Sequence, residues 1–170
     1  MLINLSSDIP FSYDEWKFHF FDRKNLEIQL PNYLYELKNL KTLYVITWPW
    51  NFSTARIWTE VLNILLYLWK LESVYYLNKL EFFNMLGYDD IYLFSWNKNK
   101  LIKLWKNQKY EIINRKDLEN LYCEQIFEEK NKLDLEYIKY EDILKDYNKL
   151  GWKKENKLLK AYYIFAPIVG

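Results

Sequence analysis

Residues 91–113 read IYLFSWNKNKLIKLWKNQKYEII. Three short apolar runs, Ile91–Trp96, Leu101–Trp105 and Tyr110–Ile113, are separated by the polar tetrapeptides Asn97–Lys100 and Lys106–Lys109. Runs of β-branched and aromatic residues with Asn-containing breaks predict a three-stranded antiparallel meander. Asn serves in the turns because it tolerates the left-handed backbone angles for which glycine is the usual choice. The flanking stretches read mainly as helices. The predicted fold class is therefore α+β, one domain over residues 1–170 with the meander packed against helices.

Working outward toward the N-terminus, residues 74–86 fit a strand or a helix equally well. Before them, Ser53 or Thr54 caps a predicted helix at about 54–70, with Ile57, Val61, Ile64, Leu65 and Leu68 on its inner face. This stretch is apolar nearly all round, which predicts a central core helix. Thr42–Trp48, TLYVITW, reads as a buried strand closed by Pro49 and Asn51. Pro31 suits the first turn of a helix on which Leu30, Leu34 and Leu37 form one apolar face. Residues 11–21, FSYDEWKFHFF, alternate Trp16, Phe18 and Phe20 and predict a short strand or a helix.

On the C-terminal side, Asp117 caps a predicted helix with Leu118, Leu121, Tyr122 and Ile126 on one face. A second helix at about 141–150 carries Ile143, Leu144, Tyr147 and Leu150 and stops at Gly151. The tail, AYYIFAPIVG, reads as a last buried strand.

Composition excludes several function classes. The 170 residues are 51% hydrophobic and 28% charged, so disorder is not expected. With 24 Lys+Arg against 23 Asp+Glu the net charge is +1, and only Arg23, Arg56 and Arg115 are arginines. Binding nucleic acid by charge is therefore not expected. One Cys and one His exclude a disulfide framework, a Cys/His zinc site and an HExxH protease. Three Gly exclude a GxxxxGK[ST] phosphate loop and a GxGxxG dinucleotide fingerprint. No metal or cofactor is called for. The N-terminus lacks the basic and apolar regions of a secretory signal, and the run Ile57–Leu71 is too short and too polar for a membrane span. Together with the lone Cys123, this places the chain in the cytoplasm, with no membrane partner.

Several constellations have ordinary explanations. The run Leu34–Val45 resembles one leucine-rich repeat, but no fixed period follows it, and a helix leading into a strand explains it equally well. Asp89 and Asp90 are neighbours and belong to a turn before the meander; adjacent residues of an extended segment point to opposite sides. His19 lies among Phe18, Phe20 and Phe21, without a nucleophile beside it in sequence. Cys123 reads as a small buried hydrophobe.

Charge distribution and aromatic content say more. Residues 97–109 hold five Lys and no acid, whereas residues 117–146 hold ten acids and four bases. Aromatics form 20% of the chain, with eight Trp and 16 Tyr, residue types favoured at protein interfaces. No catalytic set is legible, so the chain reads as a binding protein rather than an enzyme. Asp117, Glu119, Glu128 and Glu129 are candidates for steering a basic partner, and Trp96 and Trp105 are candidate anchors. Two rivals are a carbohydrate-binding module with exposed Trp/Tyr platforms, and a metal-dependent nuclease using Asp89, Asp90 and Glu111.

Three segments, in order, resemble the SUKH superfamily of bacterial immunity proteins. They are Leu26–Asn39 with its Leu30-Pro31 pair, Leu86–Leu93 with Gly87-Tyr88-Asp89-Asp90, and Leu101–Trp105 followed by Tyr110–Ile113 and Asp117–Leu121. The ending FAPIVG is similar to the tail of a second immunity-associated family. The resemblance implies a non-catalytic protein that binds and neutralises a cognate protein toxin, possessing no cofactor and acting by occluding the toxin's active site.

Overall fold

A computed structural model describes residues 1–5, 10–37, 39–47, 52–68, 71–88, 91–94, 100–104, 110–114, 122–124, 136–138 and 140–155. Two compact units form, one from Met1–Asn78 with Trp152–Gly170, the other from Lys79–Gly151.

The first unit begins with strand β1 (Leu2–Asn4) and a hairpin of β2 (Phe11–Asp14) and β3 (Lys17–Phe20). The hairpin turns on two residues, Glu15 (φ 45°) and Trp16 (φ 67°), between the paired Asp14 and Lys17. Positive φ at both central positions is the type I′ geometry that matches strand twist, and it normally selects Asn and Gly. Side chains with a Cβ cost about 1–2 kcal/mol each in that region.

Helix α1 (Leu26–Glu36) follows. Its approach is fixed by Asp22, whose carboxylate accepts from the Lys24 N–H at 3.0 Å and from Asn25 Nδ2 at 2.7 Å, while the Asp22 N–H donates to Gln29 Oε1 at 2.8 Å. The helix therefore starts earlier than Pro31 suggests, and Pro31 lies inside it. Leu30 and Leu34 are buried as expected, with Leu26 added to their stripe and Leu37 packed beside it.

Strand β4 (Thr42–Thr47), helix α2 (Phe52–Tyr67) and strand β5 (Ser73–Asn78) complete the core, and β11 (Lys153–Glu155) adds an antiparallel edge. Among the described residues the sheet order is β11-β5-β4-β1-β2-β3. The central trio β1, β4 and β5 is parallel, in register Leu2↔Tyr44 and Leu43↔Val74. Parallel neighbours cannot be joined by a tight turn, so a helix must cross between them. That is the position of α2. Lys41 and Glu72 fasten the starts of β4 and β5 through an exposed 2.7 Å ion pair, and the Glu72 N–H donates to the Lys41 carbonyl at 2.8 Å.

Both helices pack on one face of this sheet. Leu26, Leu30 and Leu34 of α1 and Leu62 and Leu65 of α2 share one core with Ile3, Leu43, Val45 and Val74. The observed inner face of α2 matches the expected one only in part, and the side chain of Ile57 lies outside the described residues. Leu65 is buried and Val61 packs against the core, but Leu62 replaces Ile64 and Leu68, which are exposed. Helix α2 is therefore a surface helix with an apolar outer side.

In the second unit, α3 (Lys79–Met85) starts where β5 ends, so residues 73–85 are a strand and then a helix. Gly87, at φ +82°, terminates α3 by the left-handed conformation open to glycine, with its N–H donating to Asn84 and that of Tyr88 to Phe83. The predicted meander is present as β6 (Ile91–Phe94), β7 (Lys100–Leu104) and β8 (Tyr110–Asn114), all antiparallel. The fold is thus mixed α+β, as expected. Strands β9 (Tyr122–Glu124) and β10 (Glu136–Ile138) extend this sheet in parallel on the β6 side. Tyr122 and Cys123 therefore lie on a strand, against the expectation of one helical face running from Leu118 to Ile126. Their alternating pattern is too short to reveal its period in sequence. The last predicted helix shrinks to α4 (Tyr140–Ile143) and a 3-10 turn at Tyr147–Lys149. Buried Tyr140 packs against Phe83 at 6.2 Å between ring centres. The predicted strand at AYYIFAPIVG lies outside the described residues.

Truncating Leu62, which is 1% exposed, removes the α2 contact at the centre of the first core. Leu62→Ala is expected to cost about 2–5 kcal/mol, read as a lower urea midpoint with an unchanged slope. Burial also pushes the Tyr13 phenol above its ordinary value. The fold favours its neutral form, so this contribution is complete below the ordinary tyrosine value and is lost as pH rises through the folded one. Tyr13→Phe should flatten the decline in thermal midpoint measured above about pH 10.

Candidate functional site

A helix that turns one stripe into a core presents the opposite stripe to solvent. On α1 the stripe away from Leu26, Leu30 and Leu34 carries Ile28 (60% exposed) and, seven residues on, Tyr35 (67%). On α2 the stripe away from Leu62 and Leu65 carries Ile64 (57%) and Tyr67 (78%), with Leu68 (56%) just past its end. Because both helices lie on the same side of the sheet and touch, these side chains form the outer surface of one helical layer. Isolated exposed apolar residues are ordinary, but a grouped set marks an interaction surface.

Charge on this layer is one-sided. Helix α1 carries exposed Glu27 and Glu36 and no base, and α2 carries exposed Glu60 with Arg56 as its single basic residue. The described charged side chains on these two helices are the acidic Glu27, Glu36 and Glu60.

A second feature adjoins α1. The His19 ring stacks on Tyr33 of α1, with centres 4.3 Å apart and planes 12° from parallel, and meets Phe21 edge-on at 4.9 Å. Ser12 Oγ donates to Tyr33 Oη at 3.0 Å. His19 is thus held by aromatic packing, in line with its sequence reading, although Tyr33 rather than Phe18 or Phe20 is its stacking partner. A cavity of about 320 Å³ opens here, lined by Asp14, Glu15, Lys17, Phe18, His19 and Tyr33. Trp16, at the turn, is 68% exposed.

The sequence-based candidates lie elsewhere. Trp96, Trp105, Asp117, Glu119, Glu128 and Glu129 are all outside the described residues, as are Asp89 and Asp90 of the nuclease alternative. Glu111 is an exposed residue of β8, directly opposite Lys103 of β7, an opposite-charge cross-strand pair. Lys103 in turn lies 5.4 Å from the centre of the Tyr92 ring. Among the described residues, no group of three or more His, Cys, Asp or Glu side chains is placed to hold a metal ion. None of the described helices is long and apolar enough to cross a membrane.

Sequence reasoning missed the helical surface because α2 is apolar on every side, which hides the direction of its core. Ile28 and Tyr35 were legible as residues out of phase with the leucine stripe of α1.

No family model and no curated protein matches the chain. Among solved structures the chain is similar to YeaZ from Pseudomonas aeruginosa, at 9% identity and a TM-score of 0.45, over 72% of this chain and 73% of that one.

Since Ile64 and Tyr67 contribute little to the core, Ile64→Asp and Tyr67→Asp should each change unfolding free energy by no more than about 0.5 kcal/mol. The same variants should bind less of a hydrophobic dye than the parent. A large loss of stability in chemical denaturation would place these side chains in the packed interior instead.

Proposed function

We propose that this chain is an immunity protein: a non-catalytic inhibitor that binds a basic protein toxin on the outer surface of α1 and α2 and covers the toxin's active site. The observation that supports the reading is the solvent-facing set Ile28, Tyr35, Ile64, Tyr67 and Leu68, with exposed Glu27, Glu36 and Glu60 on the same helices. Protein interfaces gain most of their affinity from a few desolvated aromatic and aliphatic anchors surrounded by a polar border. Tyr67 supplies the aromatic anchor, and Ile64 and Leu68, one turn apart on the same stripe, supply aliphatic area.

These carboxylates favour a partner of positive sign. Glu27, Glu36 and Glu60 attract a basic surface and repel a second copy of the same acidic layer. That matches a basic toxin, such as a nuclease domain, better than self-association. The class of partner comes from the SUKH resemblance, whose first segment, Leu26–Asn39, includes all of α1.

The test is co-expression with the product of the adjacent gene. The expected result is rescue of growth, a stable complex, and weaker binding as salt is raised. Ile64→Asp/Tyr67→Asp should lower affinity by roughly 30-fold or more, the effect of losing about 2 kcal/mol at an anchor. Complex formation without rescue would leave a protein-binding function and remove toxin neutralisation. Rescue by the double variant equal to that of the parent would remove this surface as the interface.

A further inference from the structure

We infer that β8 is a self-association edge: two copies of this chain pair their β8 strands antiparallel about Ile113 and join their sheets into one. The inference does not depend on the toxin-binding reading and uses a part of the chain distant in sequence from α1 and α2.

Among the described residues, β8 ends the sheet order β10-β9-β6-β7-β8, with β7 as its ladder neighbour. Burial falls across that ladder. Ile102 and Leu104 of β7 are 4% and 0% exposed, whereas their β8 partners Ile112 and Tyr110 are half-buried and 42% exposed. Ile113 is half-buried as well. An edge strand offers a row of backbone donors and acceptors to another chain, and proteins that must stay apart blunt such rows with Pro, bulges or Lys. The strand Tyr110-Glu-Ile-Ile-Asn114 contains neither Pro nor Lys, and its one charge, Glu111, is opposite Lys103. Pairing along this edge would cover two β-branched side chains that β7 leaves half in water.

The order of charges names a second copy as the occupant. Counted by twos through Ile113, the sequence reads Lys109, Glu111, Ile113, Arg115, Asp117, so the sign of charge inverts about Ile113. Residues two apart in a strand share a face. A stretch with this inversion is complementary to itself when antiparallel. With Ile113 opposite Ile113 of the other copy, Glu111 falls opposite Arg115, and the two-fold axis repeats the pair. The same count sets Lys109 against Asp117. Neighbouring registers lose this match. Centring on Ile112 sets Lys109 against Arg115, and centring on Asn114 sets Glu111 against Asp117, like-charge pairs that weaken a ladder. A parallel in-register pairing sets every charge against its own kind. Charge therefore selects both the antiparallel direction and the register about Ile113.

The experiment measures the solution mass of the full chain by sedimentation equilibrium over a concentration series. It is repeated for Glu111→Lys, for Arg115→Glu and for their equimolar mixture, with thermal unfolding to show that each variant is folded. The expected result is a dimeric parent. Each single variant sets like charges together at two places and should raise the dimer dissociation constant roughly tenfold or more. The mixture should regain the dimer, because one copy of each variant makes both pairs opposite in sign again. Ile113→Lys, which puts two ammonium groups at the two-fold axis and keeps both charged partners, is a second route to the monomer if either charge variant fails to fold. A parent that is monomeric at every concentration overturns the inference. So does a dimer as tight in Ile113→Lys as in the parent, or one unchanged by both charge variants. Single variants that dissociate but do not recombine on mixing would make these charges structural within one copy and overturn it too. A dimer lost in Tyr67→Asp and kept in Glu111→Lys would move self-association to the helical layer.

Discussion

Parallel pairing of β1, β4 and β5 governs the first unit. Once Leu43 pairs with Val74 in a parallel ladder, the chain leaving β4 must return to the opposite end before β5 can begin. A helix is the compact way to do so, and Leu62 and Leu65 anchor it on the sheet. The same demand between β1 and β4 is met by the hairpin and α1. Two helices therefore share one face, and the sheet edge is left to β3 on one side and β11 on the other. The outer layer is a consequence of this topology. Its chemistry is a separate choice made at Ile28, Tyr35, Ile64, Tyr67 and Leu68.

What was legible in the sequence depended on whether hydrophobicity had a readable period. The meander was clear because three apolar runs alternate with Asn- and Lys-containing breaks, and strands β6, β7 and β8 lie where those runs fall. β4 was equally clear, as a β-branched run between polar stretches. In the run through α2, the residues Val61, Leu62, Ile64, Leu65, Leu66, Tyr67 and Leu68 surround the helix, so no phase distinguishes inside from outside. Only packing against Val45 and Val74 resolves it, and those contacts are distant in sequence. β9 was missed for a related reason. Three residues, Tyr122–Glu124, are too few to show alternation, and parallel pairing with Glu136–Ile138 is a long-range event.

Local signals also competed. Pro31 points to a helix start by its fixed φ and missing N–H, yet Asp22 and Gln29 organise the start several residues earlier. The hairpin shows the reverse case. Glu15-Trp16 lacks the Asn or Gly that marks a type I′ turn, so residues 11–21 left strand and helix open, although the alternation of Phe18 and Phe20 was correct. Here the sequence departs from turn chemistry at a residue that also departs from burial.

That coincidence extends to the candidate interface. A protein selected for stability alone would place charged or small residues at Tyr67 and Trp16, since neither position gives a core contact in return for its exposed apolar surface. Both instead carry the large rings that bind best when a partner removes water from them. Acidic residues accompany both, Glu60 on α2 near Tyr67 in sequence and Glu15 beside Trp16. Such carboxylates do little for affinity once buried against apolar atoms, because their desolvation offsets the attraction. At a border they remain hydrated, speed encounter with a basic surface and discriminate against an acidic one. In the proposed binding reading, affinity comes from the exposed apolar residues and partner choice from the carboxylates.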